Sequence, residues 1–127
     1  MQLKFKSEIN QNDNVKNIEF TVPVTVYDEE KFKVLAFDEP NTNLKSMIEL
    51  SEDEINIHNS SSTIYLKYQQ EHEFTFHLDH QGKLFELLWV TNWTKKEFKE
   101  NYYNFTYSIK SNNSHIGEFT ITLELVE

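Results

Sequence analysis

A chain of 127 residues with 14% aromatics has the length of one domain and enough apolar ring to fill one core. Its two glycines and two prolines exclude flexible linkers and collagen-like repeats. Twelve lysines, twenty-one acids and no arginine give a net charge of -9, which argues against a nucleic-acid binder with its basic, arginine-rich footprint.

There is no cysteine, so a disulfide framework, a thiolate metal site and a cysteine nucleophile are all excluded. The first ten residues alternate lysine with apolar side chains (Leu3, Lys4, Phe5, Lys6), where a secretory signal needs an unbroken apolar stretch. The longest wholly apolar run, 87–90, is far below the roughly 20 residues that cross a bilayer as a helix. A single soluble domain over residues 1–127, cytoplasmic and without a membrane partner, is expected. Heavy use of lysine and asparagine without arginine suits an AT-rich bacterial coding sequence.

Taken in order, the chain reads as about ten short segments of period-two alternation separated by polar clusters, the pattern of half-buried antiparallel strands. Residues 2–9 place Leu3, Phe5 and Ile9 on one side, and Gln11, Asn12, Asp13 and Asn14 supply turn chemistry for a hairpin. Residues 17–27 put Ile18, Phe20, Val22, Val24 and Val26 on one face, with Pro23 on the other parity, where its missing N–H requires an edge or a bulge. The 31–38 segment alternates Phe32, Val34 and Ala36 against Lys33, Leu35 and Phe37, so both of its faces are partly apolar. After a break at 39–43, Leu44, Ile48 and Leu50 stay in phase, and the cluster Ser60-Ser61-Ser62 reads as a turn between two further strands. Strands at 72–78 and 84–91 flank a hairpin turn at Asp79-His80-Gln81-Gly82. A threonine-x-x-glutamate capping box, Thr94 with Glu97, predicts one short helix over 94–101. The chain closes with a long hairpin, Tyr103, Phe105, Tyr107 and Ile109 lining one strand and Phe119, Ile121, Leu123 and Leu125 the other, turned at Asn112-Asn113. Such spacing predicts an all-β, antiparallel up-and-down barrel of about eight to ten strands, since closure removes exposed edges; a sandwich is the alternative.

The order of these segments resembles the YwiB-like family of small bacterial proteins. The resemblance rests on the long strand 18–27, the run Leu35-Ala36-Phe37-Asp38-Glu39-Pro40, the strand 44–50 before Ile55-Asn56-Ile57, and the strand led by Gly82. It also rests on the pair Phe105-Thr106-Tyr107-Ser108-Ile109 and Gly117-Glu118-Phe119-Thr120-Ile121. It implies a calycin-like, lipocalin-related barrel and carries no assigned activity. Members commonly place an arginine closely followed by glycine after the strand corresponding to 55–59; this chain has His58-Asn59-Ser60-Ser61 there.

Three functions remain in view. The aromatic residues Tyr65, Trp89, Trp93, Tyr103, Phe105 and Tyr107 lie on strand faces of a parity that can point inward, where a barrel can hold one small hydrophobic or amphipathic ligand. The competing account is that these rings simply fill the core. The second function is a protein-protein interaction module, or a homodimer, using exposed apolar strands such as Leu35 with Phe37. The third is a hydrolase or isomerase using His77 with Asp79, in the run Glu71-His72-Glu73 and His77-Leu78-Asp79-His80, which could also offer imidazole and carboxylate to zinc. Period two puts Glu71, Glu73, His77 and Asp79 on one strand face, which a solvated surface explains equally well. With no glycine elbow and no phosphate loop, no catalytic residue, metal or cofactor is predicted.

Overall fold

The computed structural model describes residues 1–59, 63–111 and 114–127, and the side chains of all of these except 78–80. The described residues form eleven strands: β1 (Gln2–Gln11), β2 (Asn14–Pro23), β3 (Thr25–Glu29), β4 (Phe32–Asp38), β5 (Lys45–Leu50), β6 (Glu54–His58), β7 (Thr63–Lys67), β8 (Glu71–His80), β9 (Lys83–Lys99), β10 (Tyr102–Ser111) and β11 (Ser114–Val126). They form a six-stranded sheet in the order β2-β1-β11-β10-β9-β8 and a five-stranded sheet in the order β3-β4-β5-β6-β7. Within the sheets each pair is antiparallel, and neighbours in space are neighbours in sequence except for β1 with β11, which brings the ends of the chain together. This is an up-and-down circuit, the connectivity the strand pattern predicts.

Turn chemistry fixes the registers. Asn12 and Asp13 both take positive φ (48° and 68°), which closes β1 on β2 in a two-residue hairpin with Gln11 opposite Asn14. Gln81 and Gly82 do the same (53° and 77°), so β8 runs on to His80 and the loop is shorter than the sequence suggests. The expected turns at Ser60-Ser61-Ser62 and Asn112-Asn113 lie outside the described residues.

Two seams join the sheets. At one, β2 passes into β3 through Val24, whose N–H donates to the Met1 carbonyl (3.2 Å); Pro23 sits there at a sheet edge, where no ladder bond is lost. At the other, Tyr68 forms a parallel bridge to Trp93, and the Gln69 N–H donates to the Trp93 carbonyl (2.7 Å). Beside it the Thr91 hydroxyl, fully buried, donates to the Tyr65 carbonyl (2.6 Å). Between the seams the two inner faces meet: Leu3, Trp93, Phe105 and Leu123 from one sheet, Leu35, Ile48, Ile55 and Leu66 from the other, each 2% exposed or less.

Two expectations are corrected. Residues 94–101 form no helix; β9 continues as a strand to Lys99, and residues 100–101 turn into β10. The Thr94–Glu97 signal is local, whereas pairing with β10 continues along this stretch: Lys95 lies opposite Thr106 and Glu97 opposite Asn104. Thr94 is the extra residue of a bulge, its hydroxyl donating to the Thr106 carbonyl (3.4 Å), and Glu97 pairs with Lys99 (2.8 Å) instead of capping anything. The second correction concerns Leu35 and Phe37, which are 0% and 8% exposed, part of the core and not an outward patch. Val34 is also fully buried, on the opposite parity, between its cross-strand neighbours Tyr27 and Glu49.

Two stability predictions follow from buried polar groups. Thr91→Val keeps the shape but leaves the Tyr65 carbonyl without its donor, and should lower stability by about 1–3 kcal/mol, read as a reduced urea midpoint at unchanged slope. Tyr107 is 3% exposed, and burial pushes its phenol far above the ordinary tyrosine range. The unfolded chain ionises this group near pH 10 while the folded one holds it neutral, so its contribution is complete below about pH 10 and is lost above it. Tyr107→Phe should therefore flatten the alkaline limb of the stability profile relative to the parent protein.

Candidate functional site

The six aromatic residues singled out from sequence fall into separate places. Trp93, Phe105 and Tyr107 come together in the interior as a packed series, with centroids 6.3 Å apart at each step and Tyr107 stacked on Phe119 at 5.1 Å. The Trp93 indole N–H donates to the Lys95 carbonyl (2.8 Å), so its polar edge is satisfied within the chain. Tyr103 lies at another end, against Phe98 (5.2 Å), beside a cleft of about 260 Å³ that Asp28, Lys31, Lys33 and Glu52 also line. Trp89 and Tyr65 meet only through Phe74: Tyr65 lies edge-on to it at 5.8 Å and Trp89 at 6.3 Å. Trp89 stacks flat on Phe76 (3.9 Å), and its Nε1 is the one buried side-chain polar atom without a hydrogen bond among the described residues. Tyr65 has outward parity on β7 and is 40% exposed.

His77 lies 3.8 Å from Glu86 with both side chains more than half exposed, and the side chain of Asp79 lies outside the described residues. An imidazole that sequence reading passed over is better held. His58 Nε2 is 2.6 Å from Glu49 Oε1, and its Nδ1 is 3.1 Å from Thr63 Oγ1. The three occupy outward positions on β5, β6 and β7, with His58 directly opposite Thr63. Both ring nitrogens are thus occupied in cross-strand ties.

An apolar opening lies elsewhere, where the inner faces of β1 and β2 approach those of β4, β5 and β6. Phe5 and Phe20 face each other across the β1–β2 register and stack at 4.6 Å, nearly parallel. Phe37 leans against both, at 6.4 and 6.0 Å. With Ile18, Ile48 and Ile57 these rings line a pocket of about 380 Å³. Its rim is polar: Glu39, Asn41, Ser46 and Asn59, with Pro40. The rim loop is held by its own bonds. The Glu39 N–H donates to the Leu44 carbonyl (2.7 Å), the Asn43 N–H donates to the Glu39 carbonyl (3.1 Å), and the Ser46 hydroxyl donates to Glu39 Oε1 (2.6 Å). Asn41 and Asn43 take positive φ there, a conformation asparagine tolerates better than most residues. A carboxylate and amides at the rim, with no basic side chain among the described lining residues, would receive a hydrogen-bond donor or a cation more readily than an anion.

Sequence reading missed this pocket although its parts were visible. Phe5 and Phe20 have inner parity on consecutive strands, and the 39–43 break marks a loop, but nothing local says which strands of the second sheet lie opposite.

Comparison with known proteins agrees with this architecture. The crystal structure of the ywiB protein from Bacillus subtilis superposes on it with a TM-score of 0.68, over 99% of this chain and 91% of that one, at 19% identity; the likeness is one of fold. An uncharacterized protein of Mycoplasmopsis pulmonis (strain UAB CTIP) is 34% identical over 130 residues, spanning all of both chains. The profile of a domain of unknown function, DUF1934, matches residues 3–123, and the chain belongs to that family.

Proposed function

We propose that the chain is a cytoplasmic binding protein for a small amphipathic molecule, in the general manner of lipocalin-related barrels, with the ligand's apolar body against Phe5, Phe20 and Phe37. The observation that carries this reading is the pocket itself: about 380 Å³, apolar within and polar only at its rim, tied open by a hydrogen-bonded loop. That volume falls in the usual range for small-ligand sites, roughly 300–1,000 Å³. Each methylene moved from water into such a site contributes about 0.8 kcal/mol, so a short alkyl or aryl group supplies useful affinity without any charged contact.

The rim selects the head group. A hydroxyl or amine can donate to Glu39 or to the amide oxygen of Asn41, whereas a carboxylate meets the Glu39 charge and a protein of net charge -9. Binding need not disturb the buried series Trp93, Phe105 and Tyr107, none of which lines the pocket.

Titration calorimetry with decanol, decylamine and decanoate tests the reading. Saturable binding of decanol or decylamine is expected, with decanoate about tenfold weaker or worse. Ile18→Glu, at a pocket residue already 38% exposed, should remove binding without unfolding the chain. Heat signals absent for all three compounds, or unaltered by Ile18→Glu, would contradict it.

A further inference from the structure

The β8–β9 hairpin carries apolar surface that the pocket does not use. Leu84, Phe85 and Leu88 are 66%, 45% and 49% exposed, and on the same arm Trp89 stacks on Phe76 and meets Phe74 edge-on. β8 is the terminal strand of the six-stranded sheet, ten residues long. An edge strand of that length with aromatic side chains is a template for another strand unless something blocks it.

The hairpin fixes which backbone groups are free. His80 and Lys83 flank a two-residue turn with positive φ at both central positions, so they form a hydrogen-bonded pair, and the register alternates from there. Positions 72, 74, 76, 78 and 80 of β8 therefore spend their N–H and C=O groups on β9. Positions 73, 75 and 77 turn theirs away from β9, toward the open side of the sheet.

We infer that this edge pairs with the same edge of a second copy, antiparallel, about a two-fold axis at Thr75. In that register Thr75 faces the partner's Thr75 as a hydrogen-bonded pair. Glu73 faces the partner's His77 and His77 the partner's Glu73. Phe74 faces the partner's Phe76, and both rings already lie in the aromatic layer with Trp89. The odd positions present opposite chemistry, carboxylate against imidazole, on both sides of the axis, and the even positions extend the aromatic layer across it. This self-complementarity, isologous by construction, is what selects a second copy over an unrelated strand. The six-stranded sheet then becomes one continuous sheet across the dimer. The ligand pocket lies between other strands, so the two readings stand or fall separately.

Light scattering coupled to size exclusion across a concentration series reads the mass directly. The chain of 15.2 kDa should run at twice that mass. Thr75→Pro removes an outward N–H while sparing the bonds to β9, and should move the dissociation midpoint up by about tenfold or more with an unchanged far-ultraviolet spectrum. Thr75→Lys sets two ammonium groups against each other at the axis and should have the same effect, covering the case in which the proline variant does not fold. Because the chain has no native cysteine, Thr75→Cys should oxidise to a covalent dimer, while Glu73→Cys alone should not. A chain of 15.2 kDa at millimolar concentration would overturn the inference and leave the edge to a strand of another protein. A dimer that survives Thr75→Lys unchanged would overturn it as well.

Discussion

The architecture depends on the contact between Trp93 and the segment that follows β7. Eleven strands arranged in two sheets do not by themselves enclose an interior; they do so where the chain leaving β7 lies across β9. There the Trp93 carbonyl takes the Gln69 N–H, the Trp93 ring lies edge-on to Tyr68 at 4.9 Å, and the Thr91 hydroxyl takes up the Tyr65 carbonyl. Lys96 completes the seam from the same strand: its ammonium sits 4.4 Å from the Tyr68 ring centre and donates to the Glu52 carbonyl. A buried hydroxyl, a main-chain bond and a cation over an aromatic face each contribute roughly 1 kcal/mol, but together they set the relative placement of the two sheets. The bulge at Thr94 belongs to the same device, because it resets the parity of β9 so that Trp93, Lys96 and Phe98 all reach inward.

That placement in turn creates the pocket. With one side held at Trp93 and the other passing continuously from β2 to β3, the inner faces of β1–β2 and β4–β6 are brought together but filled less completely than the region around Phe105 and Leu123. Phe5, Phe20 and Phe37 are partly or almost wholly withdrawn from water, yet their packing leaves an opening under the 39–44 loop. The aromatic residues that fill the interior and those that line the pocket are thus different sets.

Much of the fold was legible because strand parity and turn chemistry are local. Asn12-Asp13 and Gln81-Gly82 specify hairpins through residues that accept positive φ, and Ile18, Phe20 and Val22 announce an inner face by alternation alone. The helix expected at 94–101 shows the limit of that reasoning: a capping box is a statement about four residues, while the bulge at Thr94 is decided by its pairing with Thr106 and Tyr107 of β10. Leu35 and Phe37 could not be placed from sequence because their neighbours Val34 and Ala36 are also apolar, so alternation gave no choice of face. Of the six aromatic candidates, given the same inward-capable parity from sequence, Trp93, Phe105 and Tyr107 share one interior, whereas Tyr65 has outward parity and Trp89 belongs to the hairpin arm. The pocket was not legible, since it exists only through the pairing of one sheet's face with the other's, a relation between residues as far apart as Phe5 and Ile57.

The claim that the seam at Trp93 closes the interior is tested most directly by native-state amide hydrogen exchange at Gln69. If the seam holds as described, the Gln69 amide exchanges only with global unfolding, at the same free energy as core amides of β10 such as that of Phe105. If Gln69 exchanges freely while Phe105 stays protected, the two sheets separate at this edge in the native state, and neither the enclosed interior nor the pocket it shapes can be the stable arrangement described.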